Sequence, residues 1–153
     1  MKLVEFEPNE QGFDGTVYFR LFERRIHLIL ETDDRAFANE CAEQLNLLDE
    51  PVVDSLCAAS IRYCNEFLEA IGEPLEEFSA ARDVLRLIHP SALIIPKPNS
   101  TGNPVIHLEL NCDWEIEHGM EWVVRNGRVL YVGAFNGEDP YGNFDTDVSW
   151  NYA

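Results

Sequence analysis

Apolar and polar residues alternate with period two towards both ends of this chain and recur at helical spacing in its middle. Val17, Phe19 and Leu21 alternate with Tyr18 and Arg20; after a charged break at Glu23-Arg24-Arg25, Ile26, Leu28 and Leu30 alternate again. That period predicts an antiparallel strand pair with one buried face. Asp33-Asp34 then offers N-cap oxygens to a first helix carrying Phe37, Cys41, Leu45 and Leu48 on one side. Pro51, behind Asp49-Glu50, suits the first turn of a second helix, where no N–H is needed and negative charge meets the positive end of the dipole. Its stripe is Val53, Leu56, Cys57, Ser60, Cys64, Phe67, Leu68 and Ile71, and Gly72 is placed to end it in a left-handed conformation. Pro74 predicts the start of a third helix, with Leu75, Phe78, Leu85 and Ile88 inward and Pro90 closing it.

Beyond a loop marked by Pro96, Pro98, Gly102 and Pro104, period two returns. Ile106, Leu108, Leu110, Cys112 and Trp114 face one way, and His107, Glu109, Asn111 and Asp113 face the other. Trp122 to Arg125 and Arg128 to Tyr131 flank Asn126-Gly127, the dipeptide that a two-residue type I′ hairpin requires because both central residues need positive φ. These runs predict a C-terminal β-meander. The tail from Asn136 to Ala153 reads as a docked loop with a short last strand over Val148 to Tyr152. The predicted fold is therefore α+β: an antiparallel sheet, made of the N-terminal strand pair and the meander, with three central helices on one face. No repeat or linker divides residues 1–153, so a single domain is expected.

Charge narrows the class of partner. The chain has 28 acidic and 11 basic residues, a net charge of −17. Such a molecule repels phosphate backbones and anionic membrane and draws basic surfaces towards it. Arg20, Arg24, Arg25 and Lys97 form no aromatic-interleaved patch, so nucleic acid is not an expected partner. No apolar run suits a bilayer span, and the N-terminal residues alternate rather than forming a signal-peptide core, which predicts a cytoplasmic protein without a membrane role. Cys41, Cys57, Cys64 and Cys112 include no Cys-x-x-Cys pair and read as reduced core thiols.

Candidate chemistry is sparse. There is no phosphate-binding glycine loop and no serine elbow. Asn143, Asp145 and Asp147 resemble the opening of a calcium loop, but Val148 stands where such a loop needs glycine. Glu115, Glu117 and His118 are the remaining cluster; they could hold a metal or act as an acid–base set, although the spacing is not that of a zinc helix. A structured turn accounts for the same residues, with Gly119 taking positive φ and the Glu and His side chains satisfying backbone groups or one another. No catalytic residue, metal or cofactor is expected on this reading. The exposed acids remain: Glu66, Glu69, Glu73, Glu76 and Glu77 around the second helix end, and Glu138, Asp139, Asp145 and Asp147 in the tail beside Tyr141, Trp150 and Tyr152. Carboxylates interleaved with aromatic rings suit a basic protein partner, the charges setting approach and the rings anchoring.

The meander resembles a group of uncharacterised bacterial domains. The shared pattern is Cys112-x-Trp114-x-x-Glu117-His118-Gly119, then Glu121 to Val124, the Asn126-Gly127 turn and Val132-Gly133. Members of such groups are similar to small acidic immunity proteins that inactivate a secreted or contact-dependent toxin by binding it. The resemblance implies a cytoplasmic immunity protein that occludes a basic toxin domain such as a nuclease. The alternatives are a small metal-assisted hydrolase centred on Glu115, Glu117 and His118, and a regulatory or scaffold domain that self-associates through Trp150 and Tyr152. The pattern leaves open whether the protein is a monomer or a homodimer.

Overall fold

The computed structural model, which describes residues 2–153, joins the two period-two regions into one sheet. Its seven strands lie in chain order: β1 (Val4–Asn9), β2 (Gly12–Phe19), β3 (Arg24–Leu30), β4 (Ile88–Ile95), β5 (Ile106–Cys112), β6 (Glu115–Arg125) and β7 (Arg128–Ala134). Every neighbouring pair is antiparallel except β3 and β4. A parallel pair needs a long crossover, and the two helices supply it. These are α1 (Arg35–Asn46) and α2 (Glu50–Ala70). The α+β prediction holds.

The helix punctuation works as its chemistry requires. Asp34 accepts the Phe37 N–H at 3.0 Å and Asp49 accepts the Val52 N–H at 3.0 Å, each satisfying a donor that the first turn leaves free. Both helices pack on the face bearing Val17, Phe19, Leu28, Leu93, Leu108, Leu110 and Trp122, all buried in one core. The Trp122 indole N–H donates across this layer to Ser60 Oγ of α2 at 3.1 Å. The four cysteines are free and buried, and burial pushes the thiols of Cys41, Cys57 and Cys64 up to about 11 and that of Cys112 up to about 12.

Three local expectations need correction. The third helix does not start at Pro74: residues 73–78 carry no regular structure, and only 3₁₀ turns over Ala81–Leu87 follow. Leu75 and Ile71, expected inside, are both 54% exposed. Pro90 does not close a helix, because Ile88–Ile95 is β4, a central strand. A proline there removes a ladder donor; the register shift between Pro90 and Ala92 is where the sheet absorbs the loss. Lastly, Val148 to Tyr152 is not a strand, but it does line the free edge of β7. The Tyr152 N–H donates to Val132 O at 2.9 Å, while the Asn151 side chain bonds Leu130 O at 2.9 Å and the Val132 N–H at 3.3 Å. The Trp150 carbonyl lies so close to Gly133 that a Cβ there would meet it at 2.5 Å. An edge that would otherwise accept a foreign strand is thereby covered.

The second face of the sheet is partly covered by residues 135–147. Glu121 points into it and is fully buried. Its carboxylate accepts backbone N–H groups from Asn136 at 3.0 Å, Gly137 at 3.2 Å and Glu138 at 2.8 Å, and it hydrogen-bonds His107 Nε2. His107 is buried beside it with its ring stacked parallel to Phe135, and its Nδ1 has no partner among the described residues. Phe144 packs on Val123, Leu130 and Tyr131, and Arg125 donates to the carbonyls of Pro140 and Gly142, completing this layer.

Two outcomes follow. Replacing Glu121 with Ala strips several buried donors of their acceptor and should cost about 3–5 kcal/mol in urea denaturation, with earlier proteolysis across residues 135–147. The native thiols should react with a disulfide reagent no faster than the chain unfolds, since little thiolate exists at neutral pH.

Candidate functional site

The stretch with the most concentrated polar chemistry is where β5 and β6 diverge. Cys112 pairs with Glu115 and Leu110 pairs with Met120, so Asn111 alone opposes Ile116, Glu117, His118 and Gly119. This is a β-bulge with three surplus residues, a device that re-aims side chains out of a sheet. The sequence predicts a turn for these residues; the bulge carries out the same local bonding within a longer strand.

Its geometry is fixed from beneath. Trp114 is buried and packs edge-on to Tyr63 of α2, with ring centroids 5.6 Å apart. Glu115, only 8% exposed, turns its carboxylate into the loop: it accepts the Glu117 N–H at 2.9 Å and the His118 N–H at 3.1 Å, and it lies 2.8 Å from His118 Nδ1. The Cys112 thiol donates to the Glu115 carbonyl at 3.5 Å. Gly119 has φ of +70°, and a Cβ on it would meet Leu110 O at 2.8 Å, so both conformation and space demand glycine. Around this base Ile116 is 82% exposed, and Glu117 and His118 are exposed as well. His89 Nε2 and Asp113 Oδ1 form a second exposed pair at 2.8 Å, on residues flanking the same end of the sheet.

One ligand atom from each of Glu115, Glu117 and His118 can be chosen so that all lie within 4.8 Å of one another. Two carboxylates and an imidazole suit a divalent cation. Yet the Glu115 oxygens already accept two backbone N–H groups and contact His118, so binding an ion would compete with the bonds that shape the bulge. Among the described residues this is the only such grouping.

The expected partner-binding residues fall into two sets on opposite sides of the sheet. Glu66, Glu69, Glu73, Glu76 and Glu77 are exposed at the end of α2 and in the segment after it, on the helix side. Asp139, Asp145 and Asp147 are exposed in the tail, and Glu138 is half-buried. The tail residues 136–138 bond Glu121, whose side chain points away from the helix face on which its neighbour Trp122 lies. Burial, and next the charge of Glu121, push the Glu138 carboxyl above its ordinary value, so Glu138 is not a simple solvated acid. Asp145 approaches Arg128 at 3.7 Å. Tyr141 is half-buried with its hydroxyl donating to Asn103 O, and Tyr152 packs on Tyr63, ring centroids 5.3 Å apart, whereas Trp150 is 53% exposed. Both sets cannot meet one flat partner surface.

Sequence reasoning missed His107 and Glu121 as a pair. They are 14 residues apart and become neighbours only through register, since His107 sits opposite Val123 and Glu109 opposite Glu121. A usable signal was present: Glu121 is a lone acid inside the apolar run Met120 to Val124.

The chain belongs to a family described as a domain of unknown function (DUF6985), whose model matches residues 2–140. The matched span takes in the bulge, the Glu121–His107 pair and the three donors at 136–138, and it stops before the segment that covers the β7 edge. No curated protein and no solved structure matches the chain.

Gly119→Ala tests whether the bulge is as constrained as it looks. The substitution should cost about 1–3 kcal/mol in thermal or urea unfolding, because it meets both the φ penalty and the Leu110 carbonyl. Gly72, one of the positive-φ glycines with open space around a Cβ, should accept Ala at lower cost.

Proposed function

We propose that this member of the DUF6985 family is a protein-binding domain that docks on a basic partner, as an immunity protein neutralises a toxin domain such as a nuclease by covering it. The observation that carries the reading is the surface after α2. Glu66, Glu69, Glu73, Glu76 and Glu77 are all exposed on the short stretch that also exposes Ile71 and Leu75, and among the described residues no Lys or Arg pairs with any of the five. Among those residues arginine–carboxylate pairs occur elsewhere, at Arg25–Glu5, Arg82–Asp54 and Arg128–Asp145. Unpaired like charges beside exposed apolar groups repel one another in the free protein, and a cationic partner removes that repulsion while the apolar groups desolvate. A net charge of −17 steers the same class of partner and disfavours nucleic acid and anionic membrane. Among the described residues no helix is long and apolar enough to cross a membrane.

A second reading has one observation in its favour, the closeness of the Glu115, Glu117 and His118 ligand atoms. It is a metal-assisted hydrolase at the bulge. Elemental analysis of the purified protein and its melting temperature in chelator separate the two readings: stoichiometric metal and a lowered Tm support the hydrolase.

The test of the leading reading is direct mixing with the purified product of the adjacent gene at low and high salt. A complex that weakens as salt rises is expected. Reversing Glu73, Glu76 and Glu77 together to Lys should slow association by about tenfold or more while leaving Tm nearly unchanged. Absence of any complex at low salt overturns the reading.

A further inference from the structure

Single exposed isoleucines are ordinary on protein surfaces. Ile116 differs in what holds it. Four residues of β6 are looped out opposite one residue of β5, and the loop is braced by a buried carboxylate, a buried indole and a glycine at positive φ with no free room for a Cβ. The carboxylate and the indole are no more than 9% exposed, and together these braces fix the backbone on which Ile116 stands 82% exposed. A β-branched side chain on a fixed backbone has few rotamers to lose when it is buried, which is the condition for a low-cost anchor.

The anchor's own stretch of chain carries no fixed cation. Asn111 to Gly119 contains no Lys or Arg, and Asp113 and Glu117 are exposed on either side of Ile116. Asp113 is engaged by His89 and Glu115 by His118, and Glu117 is the exposed carboxylate of the group that forms no ion pair among the described residues, although the His118 imidazole lies within 4.8 Å. We infer that the β5–β6 bulge is the anchoring element of this domain, and that it places Ile116 in an apolar pocket rimmed by Lys or Arg on the partner protein. This rests on the reading of the domain as a binder of basic proteins, and it adds the contact that holds the complex after charge has brought the surfaces together. A second copy of the chain is a poor occupant, since two bulges meeting would set Asp113 and Glu117 against their own kind. An anionic bilayer is disfavoured for the same reason.

The experiment is isothermal titration of the full-length protein, and of its Ile116→Asp and Ile116→Val variants, with the purified product of the adjacent gene. Ile116→Asp should weaken binding by about thirtyfold or more, as loss of a buried anchor does, and Ile116→Val should stay within a few-fold of the parent. Because the side chain is exposed, the Tm of both variants should match the parent. A photocrosslinking residue introduced at position 116 should couple to the partner, and the same residue at exposed Leu47, on the turn after α1, should not. If the parent protein binds and Ile116→Asp binds equally well, or if position 116 fails to crosslink, the anchor is wrong while the binding function stands. If the parent itself does not bind, both fall. Self-association abolished by Ile116→Asp would assign the bulge to a homodimer and overturn the heterologous partner.

Discussion

A carboxylate taken out of water must be given hydrogen-bond donors in its place, and Glu121 gets them from a part of the chain that would otherwise have little reason to fold back. Three successive N–H groups at Asn136, Gly137 and Glu138 converge on it, with His107 from the neighbouring strand. The sheet thereby acquires a second layer without a second set of helices. The same bonds set where the tail begins its course across β5 to β7, and so where Phe144 and the Arg125 contacts fall. The family match ends at residue 140, just after these donors. The cover over the β7 edge, made by Asn151 and Tyr152, is a separate and later addition along the chain.

Much of the fold could be read where a local rule and the tertiary structure agree. Asn126 and Gly127 have φ of 54° and 72°, as a type I′ hairpin demands. Asp34 and Asp49 cap their helices, and Gly72 is left-handed at φ of 75°. The failures are equally physical. β4 is buried on both faces over most of its length, so it lacks alternation, and its proline imitated a helix stop. The spacing of Leu75, Phe78, Leu85 and Ile88 fitted a helix, but Leu75 lies in solvent and Ile88 opens a strand. Periodicity describes only what a segment could bury, and here residues 73–77 stay in solvent while Ile88 enters the sheet.

The candidate site was legible in part. Glu115 does satisfy backbone groups and His118, and Gly119 does take positive φ, as the residue types predict. That the stretch forms a bulge, and that this bulge lifts Ile116 clear of the sheet, depends on the pairing of Cys112 with Glu115 and Leu110 with Met120, which no local pattern encodes. Likewise the acids of the α2 end and those of the tail look like one population in the sequence and occupy opposite sides of the molecule.

In the reading proposed above, the acidic surplus after α2 and the braced bulge together form a protein-binding surface. Hydrogen exchange of the protein, alone and with the adjacent gene's product, reports on that surface residue by residue. Slowed exchange over residues 111–119 and 66–77, with the tail 139–147 unaffected, is expected. Protection confined to the tail, or none anywhere, rules the surface out.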